Sequence, residues 1–306
     1  GKTTALLTLA RELTAEGRYV AVLVSVEVGA GLPNDLGAAE LAILDAWRGS
    51  ASSRLPRDLQ PPPWPDAAPG RRIGAALQAW ARVAPRPLVI FLDEIDALQG
   101  EPLVSILRQL RDGYADRPGG FPFSLVLIGL RDVRDYKLEP LHSAPHSASP
   151  FNIKDASLTL RNFTADEVAE LYAQHTADTG QVFTPGASRR AFELTDGQPW
   201  LVNALARELV DELVVDRAQA ITEADVDAAK AVLIRRQDTH LDSLAERLRE
   251  PRIRAIIEPM LAGELLGDVP EDDRRFAVDL GLVKRVDGGG LEIANPIYRE
   301  VIVRAL

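Results

Sequence analysis

Two short stretches of the chain carry the residue types from which phosphate chemistry is built. Gly1-Lys2-Thr3-Thr4 opens a segment with Leu6, Leu9, Ala10 and Leu13 at helical spacing, and it matches the second half of the pattern G-x-x-x-x-G-K-[ST]. In a complete loop of that kind, successive backbone N–H groups and a helix N-terminus surround phosphate oxygens, the lysine reaches the outer phosphates and the following hydroxyl holds Mg2+. Those roles fall on Lys2 and Thr3. Taken alone, four residues read more simply as a helix start with an exposed lysine. The second stretch changes that weighing. Leu88-Val89-Ile90-Phe91-Leu92 runs directly into Asp93-Glu94-Ile95-Asp96, and a buried strand seldom ends in paired carboxylates without a cation nearby. Asp93 is placed to bind a water of a Mg2+ shell, and Glu94 to polarise an attacking water. The competing reading is a solvated turn that caps the next helix.

Two further features are less specific. Leu125 to Ile128 is followed by Gly129-Leu130-Arg131-Asp132, so Arg131 is a candidate to contact an outer phosphate, since a guanidinium binds phosphate oxygens bidentately. A surface ion pair with Asp132 or Asp135 competes, and Arg134 is the next candidate. Gly197-Gln198-Pro199-Trp200 lies between two helical patterns; proline at a helix start is ordinary, and the functional alternative is a turn that closes over a bound ligand. His142 and His146 sit in a loop without an acid cluster and do not form a metal pattern. Ser143, Ser147 and Ser149 lack any nucleophile-elbow context.

These residues need a sheet and helices to position them. Tyr19 to Val24 and Leu88 to Leu92 are uninterrupted apolar, β-branched runs, as expected for parallel strands covered on both faces. Phe123 to Ile128 reads as a third strand. Helical patterns cover Gly1 to Glu16, Ala38 to Trp47, Gly74 to Val83 and Leu103 to Leu110, and the alternation predicts a parallel sheet with right-handed crossovers. Six prolines lie between Pro56 and Pro69; they fix φ and remove donors, so this stretch reads as a loop or surface insertion, most simply a plain linker. After about Pro150 the pattern becomes helical, with start signals at Thr164-Ala165-Asp166-Glu167 and Thr222-Glu223-Ala224-Asp225. From about Leu241 helices ending near Gly263 and Leu280 precede a short hairpin, Leu282 to Val286 and Leu291 to Ala294 about the turn Asp287 to Gly290, which suggests a winged helix.

Composition bounds the remaining classes. The 306 residues exceed one ordinary domain, and 35 basic against 45 acidic side chains leave a net charge of −10, which disfavours unspecific nucleic-acid binding. From Leu241 to Leu306 there are 10 basic and 13 acidic side chains, a net of −3; Arg274, Arg275, Lys284 and Arg285 remain as a local patch. The sequence contains no cysteine, so disulfides, thiolate nucleophiles and zinc-thiolate sites are excluded. The apolar runs are too short to span a bilayer, and no membrane partner is expected. Because the first residue is Gly1 and not Met, the natural N-terminus is expected to lie upstream.

In order along the chain, these features resemble the P-loop ATPases of the AAA+ superclass, in particular the STAND group and the related Orc/Cdc6-like and archaeal-type ATPases. The resemblance covers most of the chain. It rests on a partial Walker A at Gly1 to Thr4, a Walker B from Leu88 to Asp96, a sensor-like Arg131, the Gly-x-Pro turn at Gly197 to Pro199 and a carboxy-terminal segment, Asn295 to Val301, similar to the winged-helix end of bacterial AAA-like proteins. It implies an α/β P-loop core over 1–150, an α-helical lid over 151–238 and a winged helix over 239–306. It further implies ATP with Mg2+ as ligands, Gly1, Lys2, Thr3, Thr4, Gly197 and Pro199 at the nucleotide, Thr3 and Asp93 at the metal, Glu94 and Arg131 in catalysis, and a cytoplasmic location. No arginine is secure as a finger, and the sensor-2 arginine of many AAA+ proteins gives way here to the Gly-x-Pro turn, which favours a nucleotide-gated switch over ring-type remodelling. Two rival classes remain: a DNA-binding regulator acting through the winged helix, and a non-hydrolysing scaffold that recruits a protein partner or a second copy.

Overall fold

The computed structural model describes residues 2–129, 156–236, 241, 247–264, 266–286 and 288–305. They fall into two compact units, Gly1–Thr159 and Leu160–Leu306. The first is built on a parallel sheet of three described strands, β1 (Val20–Ser25), β2 (Leu88–Asp93) and β3 (Ser124–Leu127), in the order β1-β2-β3. Its register pairs Ser25 with Asp93 and Leu92 with Leu127, so the strands end side by side.

The apolar runs are explained by cover on both faces. Helix α1 (Lys2–Ala15) packs through Leu6, Leu7, Ala10 and Leu13 onto Ala21, Leu23, Val89 and Phe91. The opposite face, formed by Val20, Val22, Val24, Ile90 and Leu92, meets α2 (Leu36–Arg54), α3 (Arg72–Val83) and α4 (Gly100–Asp112). Strand alternation thus gives each helix layer its own set of side chains. Trp47 and Trp80, both 0% exposed, fill the centre of this second layer.

The proline-rich stretch departs from the linker expectation. Leu55 and Leu59 are buried, Trp64 donates Nε1–H to the Leu44 carbonyl at 3.0 Å, and its ring meets Trp80 edge-on at 6.0 Å. Trp80 in turn donates to the Leu59 carbonyl at 3.2 Å. Proline fixes the backbone cheaply, and two large indoles with polar edges hold it against the helices. A buried polar set closes the same region: Glu40 accepts from Gly70 N–H and from Gln109 Nε2, each at 2.8 Å.

The second unit contains α5 (Ala165–Thr179), α6 (Pro185–Thr195), α7 (Pro199–Glu208) and α8 (Glu223–Arg236). Further on lie helices Pro251–Ala262, Glu271–Asp279 and Pro296–Ala305, and the antiparallel pair Val283–Arg285 and Leu291–Ile293. A single turn of π-helix, Leu209–Leu213, extends α7. The capping box read at Thr164 is complete: its hydroxyl accepts from Glu167 N–H at 3.2 Å and Glu167 accepts from Thr164 N–H at 2.8 Å. One hydrophobic core runs from Val168 and Tyr172 through Leu201 and Ile256 to Tyr298 and Ile302, so the residues read as lid and as winged helix pack together within this unit.

Candidate nucleotide site

The site is assembled where the three strands end. Asp93 closes β2 at 5% exposed, and the next residue, Glu94, turns the chain in the left-handed region with φ 59° and ψ 37°. A non-glycine residue there costs about 1–2 kcal/mol, and such strain gathers at functional positions. The turn is held from outside: Ile95 N–H donates to the Ile128 carbonyl at 3.0 Å, and Ile128 N–H donates to the Leu92 carbonyl at 2.8 Å. The ends of β2 and β3 are therefore locked together with Glu94 projecting from the joint, exposed.

The first turn of α1 is tied to both strand ends. Thr3 Oγ1 donates to Asp93 Oδ2 at 2.8 Å, and Lys2 Nζ donates to the Gly129 carbonyl, just after β3, at 2.9 Å. The two sequence stretches read as candidates for phosphate chemistry thus meet in space. Lys2 keeps further ammonium donors for oxyanions, at a helix N-terminus whose dipole favours negative charge.

Burial pushes the Glu94 carboxyl up from the usual glutamate range; the nearby charges of Asp93, Asp96 and Glu27 push the same way, and Lys2 pulls it back. Asp96 adds a second sign of an incomplete environment, since its buried Oδ1 has no hydrogen-bond partner. That oxygen crowds the turn after β3: a Cβ on Gly129 would stand 2.7 Å from it. A side chain at 129 would force the Asp96 carboxylate to shift. Glu27 enters because the register Ser25 to Asp93 carries the turn after β1 to the same end of the sheet. That neighbour was not legible without the strand alignment, whereas Asp96 was in plain view in the acidic run.

The residues fit Mg2+. Thr3 Oγ1 and Asp93 Oδ2 are hard oxygen ligands next to each other, and Mg2+ takes one or two protein oxygens while keeping waters and phosphate oxygens.

Other expected residues stand elsewhere. Thr4 is on the exposed side of α1, its carbonyl accepting from Thr8 Oγ1 at 3.2 Å. Gly1, Arg131 and Arg134 lie outside the described residues, as do Asp132, Asp135, His142, His146, Ser143, Ser147 and Ser149. Gly197 and Pro199 belong to the second unit, where both have a local reason. Gly197 has φ 69° and a Cβ there would stand 1.9 Å from the Phe163 carbonyl oxygen, while Pro199 takes the first turn of α7 behind the Gln198 cap.

Sheet order, register and the helix that opens on the strand ends define a class: the chain has the fold of the P-loop ATPases. Among solved structures it is similar to the Walker-type ATPase PABY2304 of Pyrococcus abyssi, with a TM-score of 0.59 at 13% identity over 95% of this chain and 85% of that one. Weaker likenesses are to the Thermotoga maritima RuvB Holliday junction branch migration motor (TM-score 0.42, 18% identity, 98% and 93% covered) and to Cdc6p from Pyrobaculum aerophilum (TM-score 0.42, 16% identity, 94% and 79% covered). No family model matches the sequence, and no curated protein does. No helix among the described residues is long and apolar enough to cross a membrane.

Proposed function

We propose that the chain is an ATPase of the AAA+/STAND type that works as a nucleotide-gated switch. The observation that carries this reading is the junction of Thr3 with Asp93 and of Lys2 with Gly129, which brings a phosphate-binding helix start to an acidic strand end. Lys2 and the first turn of α1 bind the β and γ phosphates of ATP, and Thr3 and Asp93 hold Mg2+ and its water shell. Mg2+, when bound, neutralises charge on the transferred phosphoryl oxygens. Glu94 accepts the proton of the attacking water as that water approaches phosphorus. A carboxylate whose pKa is raised toward neutral is a better acceptor than an ordinary glutamate. Arg131 is assigned to the γ-phosphate, and Gly197 and Pro199 keep the nucleotide-contact role that the resemblance implies. The hairpin Val283–Arg285 and Leu291–Ile293 with its flanking helices is read as a winged helix that responds to nucleotide.

Switching requires that ATP bind one arrangement of the protein more tightly than another, since equal affinity shifts no population. The partner in that reading is another protein or a second copy. Duplex DNA is disfavoured by the state of the basic patch. Lys284 pairs with Asp196 and Glu292, each at 3.1 Å, Arg285 pairs with Glu271, and Arg274 donates to the Val269 and Gly267 carbonyls. Few of these cations are free to neutralise phosphates.

The test is Mg-ATP turnover of the protein beside its Glu94→Gln variant, with ATP affinity measured on both. Turnover that the variant loses while it still binds ATP supports the reading. Equal turnover in both removes Glu94 as the base, stoichiometric binding without turnover in either favours a scaffold, and absence of ATP binding ends the P-loop assignment.

A further inference from the structure

Away from the strand ends, β1 is an edge of the described sheet. Pairing with β2 uses the backbone groups of Val20, Val22 and Val24, as Val20 N–H bonded to the Pro87 carbonyl illustrates, so alternation turns Ala21, Leu23 and Ser25 to the open side. Side chains occupy the carbonyls there. Thr14 Oγ1 donates to the Ala21 carbonyl at 3.2 Å and accepts from Ala21 N–H at 3.0 Å. Arg54 Nη1 donates to the Leu23 carbonyl, and Trp47 Nε1 to the Ser25 carbonyl at 3.0 Å. Among the described residues the Leu23 N–H has no such partner, and Leu23 lines a cleft of about 310 Å³ between this edge, α1 and the turn after α2.

The cleft gathers positive charge in a protein whose net charge is −10. Arg11, Arg54 and Arg86 line it, with Asp58 as the acid in its wall. Arg86 spends one Nη1 donor on the Thr14 carbonyl at 3.3 Å and Arg54 one on Leu23, which leaves most of the five N–H donors of each guanidinium unused. None of the three arginines forms an ion pair with a described carboxylate, and Arg11 makes no hydrogen bond at all among described residues. The rest of the wall is apolar, formed by Leu7, Ala10, Leu55 and Leu59.

We propose that this cleft binds a small organic carboxylate, its head held by the arginines and the Leu23 N–H and its apolar body laid on the leucines. A guanidinium fork matches a carboxylate bidentately, and a volume near the lower end of the range for ligand sites selects a small molecule. An extended peptide is disfavoured, because strand addition needs edge carbonyls as well as N–H groups and here Thr14, Arg54 and Trp47 occupy them. Inorganic phosphate satisfies the arginines and leaves the apolar wall unused.

Calorimetric titration of the full chain with hexanoate, hexanol and inorganic phosphate tests this. Hexanoate is expected to bind saturably and at least about tenfold more tightly than either of the others, since only it offers both a charged hydrogen-bonded head and an apolar body. Arg11→Glu, which removes no hydrogen bond or ion pair among the described residues and so is expected to leave the melting temperature nearly unchanged, is expected to weaken hexanoate about tenfold by placing a like charge at the head. Asp58→Asn is expected to strengthen it. The proposal is overturned if hexanol or phosphate binds as well as hexanoate, or if hexanoate binding survives Arg11→Glu undiminished.

Discussion

The two compact units treat their polar groups in opposite ways. In Leu160–Leu306 many described charges are paired: Arg190 meets Asp227 at 2.9 Å, Lys230 meets Glu300 at 2.9 Å, and the buried carboxylate of Glu208 meets Arg236 at 2.9 Å. Thr164, Thr184 and Gln198 cap their helices with side-chain oxygens. At the strand ends of the first unit, by contrast, no described cation forms an ion pair with Asp93, Glu94 or Asp96, and Asp96 leaves a buried oxygen without a partner. Folded chains satisfy buried polar groups almost everywhere, so an acidic cluster without a paired cation is where the proposed nucleotide and its metal would find unmatched charge. The second unit matches most of its described charges internally, and its one unpartnered buried group among described side chains, Asn295 Nδ2, is a neutral amide and not a carboxylate.

Substitutions can break or sharpen that contrast. The largest effect is expected from Glu94→Gln: a fall in kcat of about 100-fold or more with little change in ATP affinity, read by single-turnover hydrolysis. Next comes Gly197→Ala, which adds a Cβ at 1.9 Å from the Phe163 oxygen in a left-handed backbone. It is expected to cost about 3 kcal/mol of stability, seen as an early melting transition. Thr164→Ala removes half of the capping box and is expected to cost about 1 kcal/mol. The other half titrates: the hydrogen bond from Arg161, then that from Thr164 N–H, lowers Glu167 to about 2. Its contribution is therefore present above the ordinary glutamate range and lost as the pH falls toward about 2, which acid titration of α5 by NMR would follow. The smallest effect belongs to Asp96→Asn. Removing one of the charges that raise Glu94 is expected to move the acid limb of kcat/KM to lower pH, because Glu94 then stays ionised, and so able to accept a proton, in more acidic solution. An acid limb that stays in place would show that Glu94 does not set it.

Much of the first unit was legible because its signals are local. Continuous apolar runs following Gly17 and Pro87 read as strands covered on two sides, and Asp93-Glu94 after such a run with Lys2-Thr3 at a helix start singled out the residues that the fold then brings together. What sequence could not supply was long-range. Trp64 is a lone aromatic among prolines until the fold brings Trp80 and the Leu44 carbonyl to it, so the stretch read as a linker. Glu40 and Gln109 look like surface positions on their helices and are instead paired in the interior. Glu27 joins the acidic site only through the register of two strands, and the closure of the β1 edge by Thr14, Arg54 and Trp47 depends on three helix positions with no shared motif.

The left-handed backbone at Glu94 implies a trade-off between durability and turnover. Glycine is the residue that conformational energetics would choose there, and it would also remove a carboxylate crowded by three others. Glu94→Gly is therefore expected to raise stability by about 0.5–1 kcal/mol, net of the entropy that glycine adds to the unfolded chain, while abolishing hydrolysis. A position where the more robust protein is the inactive one is where selection for function, and not for folding, has chosen the residue.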